Sequence, residues 1–278
     1  MPDLTRRLQA AAETIRQHIP SNPALGLILG SGLGDFADEL RNPVSIPASE
    51  IPFYPQSTVQ GHAGRLVFGT INENGVESIP LVVFQGRVHF YETGDLEPVL
   101  FPVRLAIHLG ITSLIVTNAA GAVNRAFHPG DLMLIRSILN FTFLPLPVES
   151  HPGISHPPVL DQGIADHFRK SANSLGTQLR EGTYCWLKGP SYETAAEIEM
   201  LGRAGVDAVG MSTVPELTVA AQSGIRTAGL SLLSNMATGI GGEKLSHQDV
   251  TETASKVRSH LSRLLRTTIM SMSQPRRA

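Results

Sequence analysis

Apolar positions recur along this chain at two periods. Leu4, Leu8, Ala11, Ala12, Ile15 and Ile19 fall near helical spacing, which predicts an amphipathic helix over 3–19 that Pro20 ends. Short continuous apolar runs then follow at 24–29, 66–71, 79–84, 113–117, 131–138, 206–209 and 226–234, with another around Tyr184. Runs of that length, bounded by Gly, Pro and polar residues, read as buried strands. Helical spacing begins again after Asp35 and returns at 96–108, 162–176, 194–204, up to about 222, and from His247 to about 272. Residues 41–60 read as an excursion of short strand and loop, and 72–78 as a turn. Residues 141–161 hold many prolines, two histidines and little periodicity. That is long for a loop in a compact domain and suggests a functional or interface role.

Strands alternate with helices, and the strands are continuously apolar, so the expected class is α/β: a mixed, twisted sheet covered by helices on both faces. With no internal repeat and no low-complexity linker, 1–278 reads as one domain with a short frayed tail from about 273. Composition narrows the partners. Lys and Arg number 22 against 24 Asp and Glu, a net charge of −2. A polyanion-wrapping surface is not indicated, and neither nucleic acid nor membrane is expected as a partner. Any anion site must be local. The one cysteine, Cys185, lies in a predicted buried strand and reads as an inert core thiol, and it leaves no cysteine-rich metal site. No apolar run approaches a membrane span and no signal-peptide core is present, so the protein is expected to be soluble and cytosolic.

Polar clusters follow the strands, where open α/β sheets bind ligands. Gly30-Ser31-Gly32-Leu33-Gly34 offers backbone N–H groups, a hydroxyl and a helix start, all suited to an oxyanion or, equally, to a tight turn. In Gln85-Gly86-Arg87-Val88-His89-Phe90-Tyr91-Glu92, continued extension would put Arg87, His89 and Tyr91 on one face and Val88 and Phe90 on the other. The Arg87 fork matches phosphate or carboxylate, and Glu92 would fix the His89 tautomer. An ordinary solvated loop is as good a reading of that octet alone. The small residues of Asn118-Ala119-Ala120-Gly121 permit close backbone approach to a ligand. Ser212 and Glu193 read individually as helix-capping groups. Asn235, after an apolar strand, pairs donor with acceptor and suits the edge of a heterocycle. His62 and His247 carry little weight singly.

Taken together, these motifs resemble one family. The two clusters just quoted, Gly61-His62-Ala63-Gly64, Thr117-Asn118-Ala119-Ala120-Gly121, Gly189-Pro190-Ser191-Tyr192-Glu193-Thr194, Gly210-Met211-Ser212-Thr213-Val214-Pro215-Glu216 and Ser234-Asn235-Met236-Ala237 occur in its order. The chain is similar, from about residue 24 to 250, to the trimeric, low-molecular-mass purine nucleoside phosphorylases. The resemblance implies a homotrimer that converts a purine nucleoside and inorganic phosphate to free purine and ribose 1-phosphate, with no cofactor and no metal. It implies that Ser31, Arg87, His89, Ser212 and the Ala119 N–H hold phosphate, with His62 at its entrance. It implies that Tyr91, Met211 and His247 meet the ribose and that Tyr192 lies against sugar and base. Glu193 and Asn235 would bind a 6-oxopurine, as in inosine or guanosine, and with His89 form the catalytic set. Departures from the family pattern are Ala122, Tyr192, Met236 and the segment around His156, where an aromatic residue from a neighbouring subunit is usual. Three other readings remain: a methylthioadenosine phosphorylase, a non-catalytic purine sensor, and a serine hydrolase using Ser31.

Overall fold

The computed structural model describes residues 3–30, 34–59, 64–147, 158–240 and 247–274; side chains in the last segment are described at Val257 and from Ser259 on. The order of elements follows the predicted alternation. Helix α1 (Leu4–Arg16) starts where the Asp3 carboxylate accepts the Arg6 N–H at 2.9 Å. Strand β1 (Leu25–Leu29), a 3-10 turn at Gly34–Glu39 and strand β2 (Arg41–Pro47) follow. A full helix predicted after Asp35 is therefore a single tight 3-10 segment. Next come β3 (Arg65–Thr70), the hairpin β4 (Asn72–Glu73) and β5 (Val76–Glu77), and β6 (Leu81–Gln85). A one-turn helix α2 (Phe90–Thr93) precedes α3 (Leu96–His108) and the strands β7 (Ser113–Ala122) and β8 (Leu132–Asn140). The remainder is α4 (Gln162–Leu175), β9 (Leu179–Trp186), α5 (Ala195–Arg203), β10 (Ala208–Gly210), α6 (Val214–Gln222), β11 (Arg226–Met236) and α7 (His247–Ser273).

One sheet runs β10-β9-β8-β11-β7-β1-β6-β3-β2. It is mixed: β6, β1, β7 and β11 are parallel to their neighbours in that group, while β3 pairs antiparallel with β6 and β8 antiparallel with β11. Alternation along the central strands divides the core. Leu25, Leu27, Leu29, Val83 and Ile115 pack with Phe168 of α4 and Leu264, Leu265 and Ile269 of α7. Ile28, Val82, Phe84, Leu114 and Val116 pack with α1, α3 and Leu217 of α6. Helices thus cover both faces, each fed by every second residue of the same strands.

The far end of the sheet curls. Strand β10 runs parallel to β9 but also pairs antiparallel with β7, Val209 opposite Gly121. Strands β7, β11, β8, β9 and β10 therefore form a closed ring. All five contribute to one apolar cluster that includes Ala120, Leu233, Met133, Tyr184, Trp186 and Ala208. The curl lays β10 alongside the end of β7, pairing Ala208 with Ala122 and Val209 with Gly121. Among the described residues no helix is long and apolar enough to cross a membrane.

Candidate active site

Five strand ends converge on one cleft, on the edge where β1, β6, β7 and β11 finish and β10 turns back. Gly30, Arg87, His89, Ala119 and Ser212 line it, as do Tyr91, Met211, Tyr192, Glu193 and Asn235. Segments more than two hundred residues apart in sequence are thus brought together. Ser31, His62 and His156 lie outside the described residues. The His247 backbone heads α7, and its side chain lies outside the described set.

Close approach of β1 to β7 is the first requirement. A Cβ on Gly30 would lie 2.7 Å from the Asn118 Cα and 3.0 Å from the Thr117 carbonyl oxygen, so only glycine lets the strands meet there. Thr117 ties the junction: its hydroxyl accepts the Gly30 N–H at 3.0 Å and donates to the Ile28 carbonyl at 3.1 Å. Asn118-Ala119-Ala120-Gly121 is not a loop after the strand, as predicted, but its last part. The small side chains leave room for β10 and β11 to flank it, so pairing continues where a loop was expected.

Arg87 is buried beneath this junction. Its guanidinium donates to Glu216 Oε1 at 2.9 Å, to Thr213 Oγ1 at 3.4 Å, to Ser212 Oγ at 3.5 Å and to the Thr117 carbonyl. Thr213 is held in an unusual shape. Its φ is 79° and ψ −49°, and the Val214 N–H reaches back to the Ser212 carbonyl at 2.9 Å. That is a γ-turn with positive φ, strained for a β-branched residue. The turn delivers the Thr213 hydroxyl to the Asn118 amide, which donates to it at 2.9 Å. Ser212 consequently stands before the helix N-cap, which is Thr213, and not at it.

The extension predicted through Tyr91 stops at His89, which is the N-cap of α2. Helical geometry from Phe90 still brings Tyr91 to the cleft, with its ring stacked on His89 at 4.9 Å between centroids and 14° between planes. Phe90 turns the other way onto Trp186. Glu92 organises the turn. Its carboxylate accepts the His89 N–H at 2.6 Å and lies 3.1 Å from His89 Nδ1. It also accepts from the Thr58 N–H at 2.6 Å and from the Ser57 and Thr58 hydroxyls. Burial raises the Glu92 pKa, but these donors, His89 first, outweigh it and hold the group at about 2. A carboxylate only accepts, so the shared proton sits on Nδ1. Burial, then the neighbouring Glu92 and Tyr192, pushes the Tyr91 phenol up to about 12.

Two further polar side chains, Glu193 and Asn235, line the same cleft. Glu193 precedes the N-cap of α5, where Thr194 and Glu197 close a reciprocal capping box. Burial raises the Glu193 pKa, with Glu197 adding in the same direction. Asn235 lies within β11, not after it, at a register break that follows Leu233. The bulge re-aims its amide, whose oxygen accepts from Ser234 Oγ at 2.7 Å while its nitrogen donates to the Met236 carbonyl at 3.0 Å. Tyr192 sits at the rim, 44% exposed. Cys185 is fully buried, and burial pushes its thiol up to about 12, consistent with an inert core residue.

Sequence reading missed the part played by Glu216 and Thr213. The signal was present: Glu216 is the one acid in Val214–Ala221, an otherwise largely apolar segment.

Comparison with known proteins bears on this arrangement. Residues 24–270 match the model of the phosphorylase superfamily. The chain is 46% identical over 266 residues to purine nucleoside phosphorylase 1 of Bacillus subtilis (strain 168), covering 94% of this chain and 96% of that one. It is 44% identical over 257 residues to purine nucleoside phosphorylase of Rattus norvegicus, covering 88% and 87%. Among solved structures it superposes on a Schistosoma purine nucleoside phosphorylase in complex with hypoxanthine, with TM-score 0.86, 30% identity and 97% and 98% coverage. A Schistosoma mansoni purine nucleoside phosphorylase in complex with adenosine matches with the same TM-score at 31% identity.

Proposed function

The chain belongs to the phosphorylase superfamily as a purine nucleoside phosphorylase, a pentosyltransferase, and from that premise we propose that it cleaves 6-oxopurine nucleosides with inorganic phosphate. The observation that carries the proposal is that one cleft is lined both by Arg87, His89, Ser212 and Ala119 and by Glu193 and Asn235.

In the first group, guanidinium, imidazole, hydroxyl and main-chain N–H suit a phosphate dianion, with Ser31 and His62 completing the set. Phosphate attacks the anomeric carbon from the face opposite the purine as the glycosidic bond lengthens and charge moves onto the base. No covalent enzyme intermediate is required; the protein holds two reactants in line and stabilises developing charge. Tyr91, whose phenol is held further toward the protonated form by burial, is a hydrogen-bond donor toward the ribose hydroxyls, with Met211 lining the same cleft; the resemblance adds His247 as a ribose contact. Toward the base, the Asn235 amide nitrogen supplies a donor for N7 as the purine becomes anionic. Glu193 accepts from N1–H and, in guanine, from the 2-amino group. Adenine lacks N1–H and carries a 6-amino donor, so this pair prefers 6-oxopurines.

The hypoxanthine complex of the Schistosoma relative supports that preference, and the adenosine complex sets its limit: a 6-aminopurine binds in a relative. Initial rates with inosine, guanosine, adenosine and methylthioadenosine at saturating phosphate test the reading. Inosine and guanosine are expected to exceed the other two by about 10²-fold in kcat/KM. Equal rates on adenosine overturn the base assignment, and a methylthioadenosine preference favours the alternative phosphorylase. A purine sensor would bind these nucleosides without turnover, and a hydrolase acting through Ser31 would not need phosphate.

The same reading takes phosphate as co-substrate, with no metal or organic cofactor, and a homotrimer acting in the cytosol.

A further inference from the structure

Arg87 and Glu216 form an ion pair at 2.9 Å with side chains only 4% and 2% exposed. Desolvating two charges is unfavourable, and such a pair seldom adds net stability over apolar residues of the same size. Its presence directly behind a proposed anion site therefore calls for a functional account. Glu216 is rooted in the first turn of α6, immediately after the strained turn at Thr213. It accepts from Nη1 of the guanidinium, which it shares with the Thr213 and Ser212 hydroxyls, while the Thr117 carbonyl accepts from Nη2. Among the described residues, the second carboxylate oxygen, Oε2, is buried with no hydrogen-bond partner.

We propose that Glu216 is a positioning residue for the transfer: it aims Arg87 at the phosphate and cancels its charge, so that the anion is held weakly enough to react and leave. The inference rests on the reading of this part of the cleft as the phosphate site. A lone buried arginine would grip a dianion tightly, because charges interact strongly away from water. Tight ground-state binding does not raise turnover; only interactions that strengthen in the transition state do. The Arg87–Glu216 pair supplies direction to the anion at reduced net charge. Thr213 and Asn118 complete the frame by fixing the hydroxyl between them.

Glu216→Gln tests this, since it keeps the shape and removes the charge. Two quantities should fall together: kcat by about tenfold or more, and the phosphate KM by roughly fivefold. The rise in Tm caused by added inorganic phosphate should be larger in the variant than in wild type, because the dianion then supplies the missing counter-charge. In an Arg87→Gln background the same substitution should have little further effect on kcat, as expected for a residue that acts through Arg87. If Glu216→Gln does not fold, Glu216→Asp takes its place. It keeps the charge but shortens the reach, and should lower kcat while leaving the phosphate-induced rise in Tm near the wild-type value. Unchanged kcat, or a phosphate KM that rises together with a fall in kcat, overturns the role of Glu216 and leaves the phosphate site standing. A wild type whose Tm does not respond to phosphate removes the site itself and this inference with it.

Discussion

At the residue scale, burial pushes the pKa of Glu193 and of Glu92 upward alike, but the net shifts have opposite signs. Glu193 has no donor strong enough to offset desolvation, so its pKa is raised. A carboxyl group with a raised folded-state pKa contributes stability below its ordinary pKa of about 4.3, and loses it as pH rises through the folded value. At neutral pH the charge on Glu193 therefore costs stability, retained for base recognition. Glu193→Gln is expected to raise Tm by about 2 °C while lowering kcat/KM for inosine by roughly 10²-fold; calorimetry and initial rates check both. The acid limb of the kcat/KM profile is expected above pH 4.3, since the proposed contact to N1–H needs the carboxylate. Glu92 has the opposite sign. Its pKa of about 2 means that its contribution is complete above about pH 4.3 and disappears as pH falls toward 2. Glu92→Gln should lower Tm at pH 7, with the difference from wild type shrinking below pH 4.3. The residue types at 87, 89 and 235 suggested an anion grip and a heterocycle edge beforehand, while Glu193 read singly as a capping group and took its base-binding role only from the family resemblance. Which carboxylate would be raised and which lowered was not legible, because it depends on Ser57 and Thr58, which reach Glu92 from a separate loop.

At the element scale, helices and strands came out of the periodicity closely, α3 over Leu96–His108 most directly. The errors fall at strand ends. Asn118-Ala119-Ala120-Gly121 and Asn235 were expected in loops and belong to β7 and β11. Small or polar residues read as breakers unless a neighbouring strand needs the space they leave, and here β10 does. The turn into α6 was equally invisible, since nothing in Ser212-Thr213-Val214 marks positive φ. That turn makes a stability prediction. Thr213→Ala and Thr213→Gly both remove the hydroxyl that Asn118 donates to, but only glycine relieves the backbone. Thr213→Gly should therefore be the more stable of the two by about 1 kcal/mol, measured by denaturant unfolding, with both below wild type in kcat. Equal stabilities would contradict the strain.

At the scale of the whole molecule, ring closure by β10 is what turns a row of strand ends into a cleft, and no local pattern in a three-residue strand foretells it. The family resemblance assigned the strand-end motifs to one pocket without foretelling the ring that brings them together. If phosphate and the protein's own groups supply all the chemistry, dialysis against a chelator should leave kcat unchanged; a lost rate restored by a metal ion would contradict this. The central claim is that one pocket brings an inorganic anion to a purine nucleoside. Its most direct measurement is release of hypoxanthine from inosine, with ribose 1-phosphate followed in parallel, in phosphate-free buffer and at saturating phosphate. Base release is expected only with phosphate, matched one for one by ribose 1-phosphate, whereas release at the same rate without phosphate, giving free ribose, would contradict the account.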